Sequence, residues 1–308
     1  MIRRLSISLE SEKTMNGEVK FSVSEEMKKV RAVQLDLLDT FSHVCETNDL
    51  RYFLDGGTLL GAVRHRGFIP WDDDIDVIMP RKDYDKLCKI AEQVFQWPYF
   101  FQTSMTEEDL FRMHAQLRNS QTTGFIPQDK NKNINKGIFI DIFVLDGIAD
   151  SVFARVVHRL QYEVGKKILS CLPERSRTEL GNDKYAVYRI AHAIFRFRPL
   201  KKQFVYFEHK VLAKHSDQKT RLVGDLGLGW RKNVWWPSEW FDDYVMLPFE
   251  GRYYRAPIRY REVLTKQYGN YMEIPKDIYA ANGRMHENIV FNPETSYVKY
   301  YEKRESKV

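Results

Sequence analysis

Four carboxylates fall within five positions of this chain, at Asp72, Asp73, Asp74 and Asp76, and the run passes directly into the apolar Val77-Ile78-Met79. The alternation Asp74-Ile75-Asp76-Val77 reads as a strand over Asp74 to Met79, closed by Pro80, because successive strand side chains point to opposite faces. Asp72, Asp74 and Asp76 then share one side, with about 6.6 to 6.8 Å between residues i and i+2. Ile75 and Val77 face a core, and Asp73 points away from its neighbours and is expected to be exposed or structural. Like charges crowded into a partly buried site repel one another unless a cation neutralises them. These oxygens suit a hard divalent ion, Mg²⁺ or Mn²⁺. A solvated acidic turn is the competing reading, weakened by the core strand that follows. An EF-hand loop needs spaced acceptors, a glycine and a terminal Glu that are absent here.

Upstream, Arg51 to Leu54 reads as a short strand that stops at Gly56-Gly57, and Thr58-Leu59-Leu60 begins a helical turn. Such glycines admit close backbone approach to a phosphate, and the N–H groups of the following turn are anion donors. Downstream, Gly137 to Leu145 is a β-rich apolar run holding one carboxylate, Asp141. A lone buried carboxylate is costly without a partner. A metal on a neighbouring strand accounts for it, and so does a pairing with an arginine. Arg64, His65 and Arg66 are phosphate-contact candidates, with exposed charges at a helix end as the alternative. Arg118 and Lys136 flank a polar stretch, Ser120 to Gly137, that is loop by composition and long enough to be a lid.

The rest of the chain organises around these motifs. Residues 1–21 form a polar arm, 22–150 a catalytic core, 151–222 a basic helical region, and 223–308 an aromatic-rich region completing the same domain. Ser22-Val23-Ser24-Glu25 has the capping-box form and precedes an apolar pattern of helical spacing from Met27 to Cys45. Asp83 to Gln93 and Ile258 to Pro275 also read as helical. A hydrophobic fraction of 43% excludes a disordered chain. Cys45, Cys88 and Cys171 show no metal or redox spacing, and they read as small core residues in a reducing compartment. No signal-peptide core and no apolar run of spanning length is present, so a cytoplasmic protein is expected. The formal charge of +6 favours an anionic partner; nucleic acid is not expected to be one. The basic stretch from Ser151 to His215 could rest on the inner face of an anionic membrane or form a solvated helix pair.

The segment FLDGGTLLGAVRHRGFIPWDDDIDVIMPRKDYDKL, followed by IDIFVLDG, LPFEG and YGNYMEIP, resembles the LicD family, which includes bacterial phosphocholine transferases and the animal fukutin-related proteins. The resemblance spans roughly residues 25 to 275. It implies an α+β fold of the nucleotidyltransferase superfamily, a small mixed sheet flanked by helices with a helical C-terminal extension. Carried over, Gly56, Gly57 and Thr58 match the GG turn, Asp74 and Asp76 the metal pair, and Asp141 the third carboxylate, with Asp72 as an auxiliary ligand. One departure is FVLD where the family commonly has FPLD, which should alter the strand end more than the chemistry. The resemblance also implies a CDP-linked donor, CDP-choline in the best-known members, and transfer of its phospho-alcohol to a hydroxyl of a cell-surface or lipid-linked glycan of lipopolysaccharide or teichoic-acid type, with CMP released. A choline donor would need aromatic faces. Trp71 and the cluster Trp230, Trp235, Trp236 and Trp240 are the candidates, with ordinary packing as the alternative.

Three other functions fit parts of the pattern. A D-x-D glycosyltransferase would use a nucleotide sugar, but it needs neither the GG turn nor a third strand carboxylate. A nucleotidyltransferase could modify a small molecule. A non-enzymatic membrane or glycan scaffold would have no need for three mutually repelling carboxylates.

Overall fold

The computed structural model describes residues 11–13, 19–21, 23–172, 182–195, 197, 199–274 and 289–300. They divide into two compact units, one of residues 1–144 with 239–308, the other of residues 145–238. The fold is α+β, with a central mixed sheet and flanking helices.

In the first unit, β1 (Ser11–Lys13) pairs with β2 (Val19–Phe21). Helix α1 (Glu25–Thr47) is capped by Ser24, whose hydroxyl accepts the Met27 N–H at 3.2 Å; Ser22 lies outside the described residues. Its inward face buries Met27, Val30, Leu37, Leu38, Phe41, Val44 and Cys45 at the expected spacing. There follow β3 (Phe53–Leu54), α2 (Gly56–Arg64), β4 (Asp76–Pro80), α3 (Arg81–Val94), β5 (Tyr99–Gln102), β6 (Ala115–Asn119), β7 (Thr123–Phe125) and β8 (Ile138–Ile148). The strand order here is β3-β4-β8-β6-β5. Val77, Ile78 and Met79 of β4 are fully enclosed, each contributing about 1.5 to 3 kcal/mol by leaving water.

Several expectations are corrected. The strand begins at Asp76 rather than Asp74, so Asp72 to Ile75 are outside the ladder and strand alternation does not govern them. Asp73 is accordingly 7% exposed, not solvated. The stretch from Ser120 to Gly137 is not an open lid, because Thr122, Thr123, Phe125, Ile134 and Asn135 are buried. Cys88 on α3 is exposed, while Cys45 and Cys171 are buried; all three are free thiols.

In the second unit, the end of β8 pairs with β9 (Leu222–Gly224), which pairs with β10 (Trp235–Pro237). The unit also holds α4 (Val152–Cys171), α5 (Asn182–Phe195) and α6 (Leu200–Tyr206). Gly165 lets α4 close onto Phe207, whose ring would stand 2.4 Å from a Cβ there. Trp230 packs edge-on to His158 at 4.8 Å and Trp235 at 5.2 Å, and Trp236 is 1% exposed. These tryptophans fill the unit's own interior rather than offer open aromatic faces.

Completing the first unit, β11 (Tyr244–Phe249) and β12 (Arg252–Pro257) form a hairpin, and α7 (Tyr260–Tyr268) stops at Gly269, φ +67°. The expected helix is therefore shorter at both ends, and Pro275 lies outside the described residues. β13 (Val290–Asn292) pairs with β7. No described helix is long and apolar enough to cross a membrane.

One buried histidine generates a prediction. His158 is wholly enclosed, donates its Nε2–H to the Val211 carbonyl over 2.7 Å, and has its pKa lowered to about 4. Burial is the main cause, reinforced by His215 and Lys214 and opposed by the Val211 bond and Asp146. A depressed folded-state pKa favours the neutral ring, so this contribution is complete above about pH 6.5 and is lost as pH falls towards 4. Hydrogen-exchange protection factors in residues 145–238, taken against the intrinsic rate at each pH, should therefore fall as pH drops between those values, and His158→Gln should flatten that dependence.

Candidate active site

The acidic run is held in place chiefly through its main chain. The Arg31 guanidinium of α1 donates to the carbonyls of Ile69 at 3.0 Å, Pro70 at 3.0 Å and Asp72 at 2.8 Å. One turn on, Gln34 donates to the Asp73 carbonyl at 2.7 Å. Thr58, inside α2, accepts the Asp76 N–H at 2.9 Å, and the Asp55 N–H donates to the Asp76 carbonyl at 3.0 Å. The Asp141 N–H donates to the Ile75 carbonyl at 2.8 Å. This last bond sets Asp141 of β8 beside the residue between Asp74 and Asp76.

The result is a set of three carboxylates, Asp74, Asp76 and Asp141, whose oxygens lie within 4.8 Å of one another. Asp72, Asp73 and Asp74 form a second such group. Oxygen donors at this separation match what a Mg²⁺ or Mn²⁺ ion accepts. Burial, then the charges of Asp74, Asp141, Asp72 and Asp55, push the Asp76 carboxyl well above the usual range. Asp55 is also raised, mainly by burial. Asp141 behaves oppositely. Its burial alone would raise it, but His114, Arg112 and Gln116 outweigh that and hold it below the ordinary value. The cluster is thus a pocket of frustrated negative charge, which a divalent cation would relieve.

The two glycines are explained by these carboxylates. Gly56 sits at φ +51°, in the left-handed region, and a Cβ there would stand 2.7 Å from Asp76 Oδ2. A Cβ on Gly57 would stand 2.3 Å from Asp72 Oδ2. The glycines therefore make room for carboxylate oxygens, a requirement distinct from access by phosphate. Thr58 is buried and spends its hydroxyl on the Asp76 backbone.

The other expected residues lie differently. Trp71 is 2% exposed, with the Arg64 guanidinium 5.7 Å above its ring and His65 edge-on at 6.2 Å; its aromatic face is occupied. Arg64 also donates to His65 Nε2 at 2.9 Å and to the Tyr271 carbonyl at 3.2 Å. Arg66 is exposed at φ +57°, and its carbonyl accepts the Glu250 N–H at 2.9 Å. Arg118 is 1% exposed and clamps the carbonyls of Gly124 at 3.0 Å and Gly137 at 2.6 Å. It braces the 120–137 segment rather than flanking an open lid. The Lys136 ammonium donates to the Lys132 carbonyl.

Further residues enter that sequence reasoning missed. His114 Nε2 at 3.0 Å and Gln116 Nε2 at 2.6 Å both meet Asp141 Oδ1. His114 lies just before β6 and Gln116 on it, two positions apart, a spacing visible in HAQ. The Gln116 carbonyl oxygen accepts from Arg112 and Arg118, which fixes the direction of its amide. Arg31 and Gln34 are polar residues at the margin of an apolar helical stripe. Glu250, from LPFEG, accepts the Phe68 N–H at 3.0 Å and steadies the loop before the acidic run. Tyr268 at the end of α7 has its hydroxyl pKa pushed up by burial and then by Asp55, Asp76, Asp72 and Asp74, placing it within reach of the cluster.

The Gly57 geometry is testable. Gly57→Ala should lower the denaturant midpoint, at a cost of about 1 to 3 kcal/mol for overpacking. In an Asp72→Ser background the same substitution should cost less than half as much, because the opposing oxygen is gone; equal costs in both backgrounds would refute the steric account.

Residues 49–154 match the nucleotidyltransferase domain of the LicD/FKTN/FKRP family. The chain is 31% identical over 259 residues to the lipopolysaccharide cholinephosphotransferase LicD of Haemophilus influenzae, covering 82% of this chain and 93% of that protein. Over 80 residues it is 56% identical to the ribitol 5-phosphate transferase FKRP of mouse and human, covering 25% of this chain and 16% of theirs. The matched domain contains all three converging carboxylates and both glycines, and the likeness to the Haemophilus protein runs along nearly its whole length: the chain belongs to the LicD family.

Proposed function

We propose that this protein transfers a phospho-alcohol, phosphocholine foremost, from a CDP-linked donor to a hydroxyl of a cell-surface or lipid-linked glycan, releasing CMP. The observation that carries the reading is the convergence of Asp74, Asp76 and Asp141 beside the strand–GG–helix turn, in a chain collinear with a lipopolysaccharide cholinephosphotransferase. The pyrophosphate bond of the donor breaks at the phosphorus bearing the alcohol, a new phosphodiester forms to the glycan oxygen, and the hydroxyl proton leaves. Asp74, Asp76 and Asp141, with Asp72 as auxiliary, would hold Mg²⁺ or Mn²⁺. A bound divalent ion supplies charge neutralisation to the attacking and leaving oxygens.

The chain's own groups divide the remaining work. His114 and Gln116 both bind Asp141 Oδ1, which orients the carboxylate either as a ligand or as the acceptor of the hydroxyl proton. Gly56 and Gly57, in the first turn of α2, give Asp76 and Asp72 the room their carboxylates occupy. A cytoplasmic reaction is part of this reading, and it is supported by three cysteines that form no disulfide.

A second donor is favoured by one observation, the 56% local identity to ribitol 5-phosphate transferases. Purified protein offered CDP-choline, CDP-ethanolamine, CDP-glycerol and CDP-ribitol with Mg²⁺ and an acceptor glycan should release CMP from CDP-choline fastest; preference for CDP-ribitol would select the second donor. Asp74→Asn and Asp76→Asn should each reduce release by at least about 100-fold. Full turnover in both, or release from a UDP-sugar alone, would overturn the assignment.

Metal removal gives an independent readout. Asp76 carries a raised folded-state pKa, so its protonated form is favoured on folding, and stability falls as pH rises above the ordinary carboxylate range. In a chelator the melting temperature should drop from pH 5 to pH 8, and added Mg²⁺ or Mn²⁺ should restore it at the higher pH. A melting temperature indifferent to both ions at pH 8 would count against the cation site.

A further inference from the structure

The unit of residues 145–238 carries 18 lysines and arginines against 9 aspartates and glutamates, so the rest of a chain of net +6 is negative. Within this unit, α4 turns His158 and Tyr162 inward. On another face it leaves Val152, Val156, Leu160 and Val164, spaced four residues apart, exposed by 74%, 62%, 63% and 49%. The row ends in a groove of about 880 Å³ between α4 and the segment of α6 and the turn after it. Ile168, Phe207 and Val211 supply apolar wall, and Lys202, Lys210 and Lys214 line it with positive charge. Among the described residues no carboxylate lines the groove.

An aliphatic row this long, left in water, marks an apolar partner. The two partners to weigh are a second copy of the chain and a lipid surface. Charge separates them. A symmetric pairing of copies through this face would press two strongly positive units together, which repels. An anionic bilayer offers both complements, acyl chains for the row and headgroup phosphates for the lysines. Lys214 is already turned by its bond to Gln161 on α4, so one lysine is fixed beside the row.

We propose that residues 145–238 dock on an anionic phospholipid bilayer, with the Val152-Val156-Leu160-Val164 row in the acyl boundary, Lys202, Lys210 and Lys214 on headgroup phosphates, and the groove taking an adjoining acyl chain. The inference is independent of the transfer reaction, and its test needs no donor. The full chain is floated with vesicles of phosphatidylcholine alone or mixed with phosphatidylglycerol. Binding to the mixed vesicles should exceed binding to phosphatidylcholine at least about tenfold and weaken with salt. Val156→Ser with Leu160→Ser should lower it about tenfold or more, and Lys202→Gln with Lys210→Gln roughly fivefold for each lysine removed. Both variants should keep the wild-type circular dichroism and the wild-type rate of CMP release with a water-soluble acceptor.

Three results would overturn the proposal. They are no binding of the wild type to mixed vesicles, binding that neither variant weakens, and a lipid-free dimer that Val156→Ser with Leu160→Ser dissociates. The last would assign the row to a second copy. Each leaves the transfer assay untouched, so failure of membrane docking and failure of the catalytic reading are distinguishable.

Discussion

Like charges will not gather of their own accord, and the organisation of the first unit follows from how they are made to. The main chain brings Asp74, Asp76 and Asp141 together: Arg31 and Gln34 grip carbonyls of the approach, Thr58 and Asp55 grip the two sides of the Asp76 peptide, and Ile75 receives the Asp141 N–H. These bonds fix the backbone that carries the carboxylates, so the side chains start from rigid supports. Burial of Val77, Ile78 and Met79 supplies the stability against which the repulsion is set.

A second layer governs Asp141 alone. Arg112 and Arg118 orient the Gln116 amide, and Gln116 with His114 then orients the carboxylate. Arg112 is itself paired with Asp129 at 2.9 Å, and Arg118 bonds the Gln102 side chain at 2.5 Å. The segment from Ser120 to Gly137 is therefore tied to the third carboxylate through buried arginines. Part of its polar composition reflects that network, in which Thr122, Asp129, Asn135 and Lys136 have internal partners.

Much of this was legible in the sequence, for identifiable reasons. Apolar periodicity gave away α1 and α3, and the lone Asp141 inside an apolar run was conspicuous because its burial demands compensation. The strand start was misjudged by two residues because D-I-D alternates whether or not a neighbour completes the ladder. Composition misled at Ser120 to Gly137, where polarity meant internal hydrogen bonding rather than exposure. Trp71, Arg64 and Arg118 were invisible as supports, since sequence shows a side chain's chemistry but not which partner has already claimed it. Gln116 reaches Asp141 and Glu250 reaches Phe68 across 25 and 182 positions, beyond any local pattern.

The close fit between the glycine turn and the carboxylates limits how such an enzyme can be retargeted. The space above Gly56 and Gly57 is already filled by Asp76 and Asp72 to within a methyl group's reach. Neither glycine can therefore carry a side chain without displacing a carboxylate. Slack near the cluster lies instead at Tyr268 on the end of α7, which stays 44% exposed although burial pushes its hydroxyl pKa up. Donor preference and the common chemistry would then be separable properties of one site, and designed changes of substrate belong on its rim.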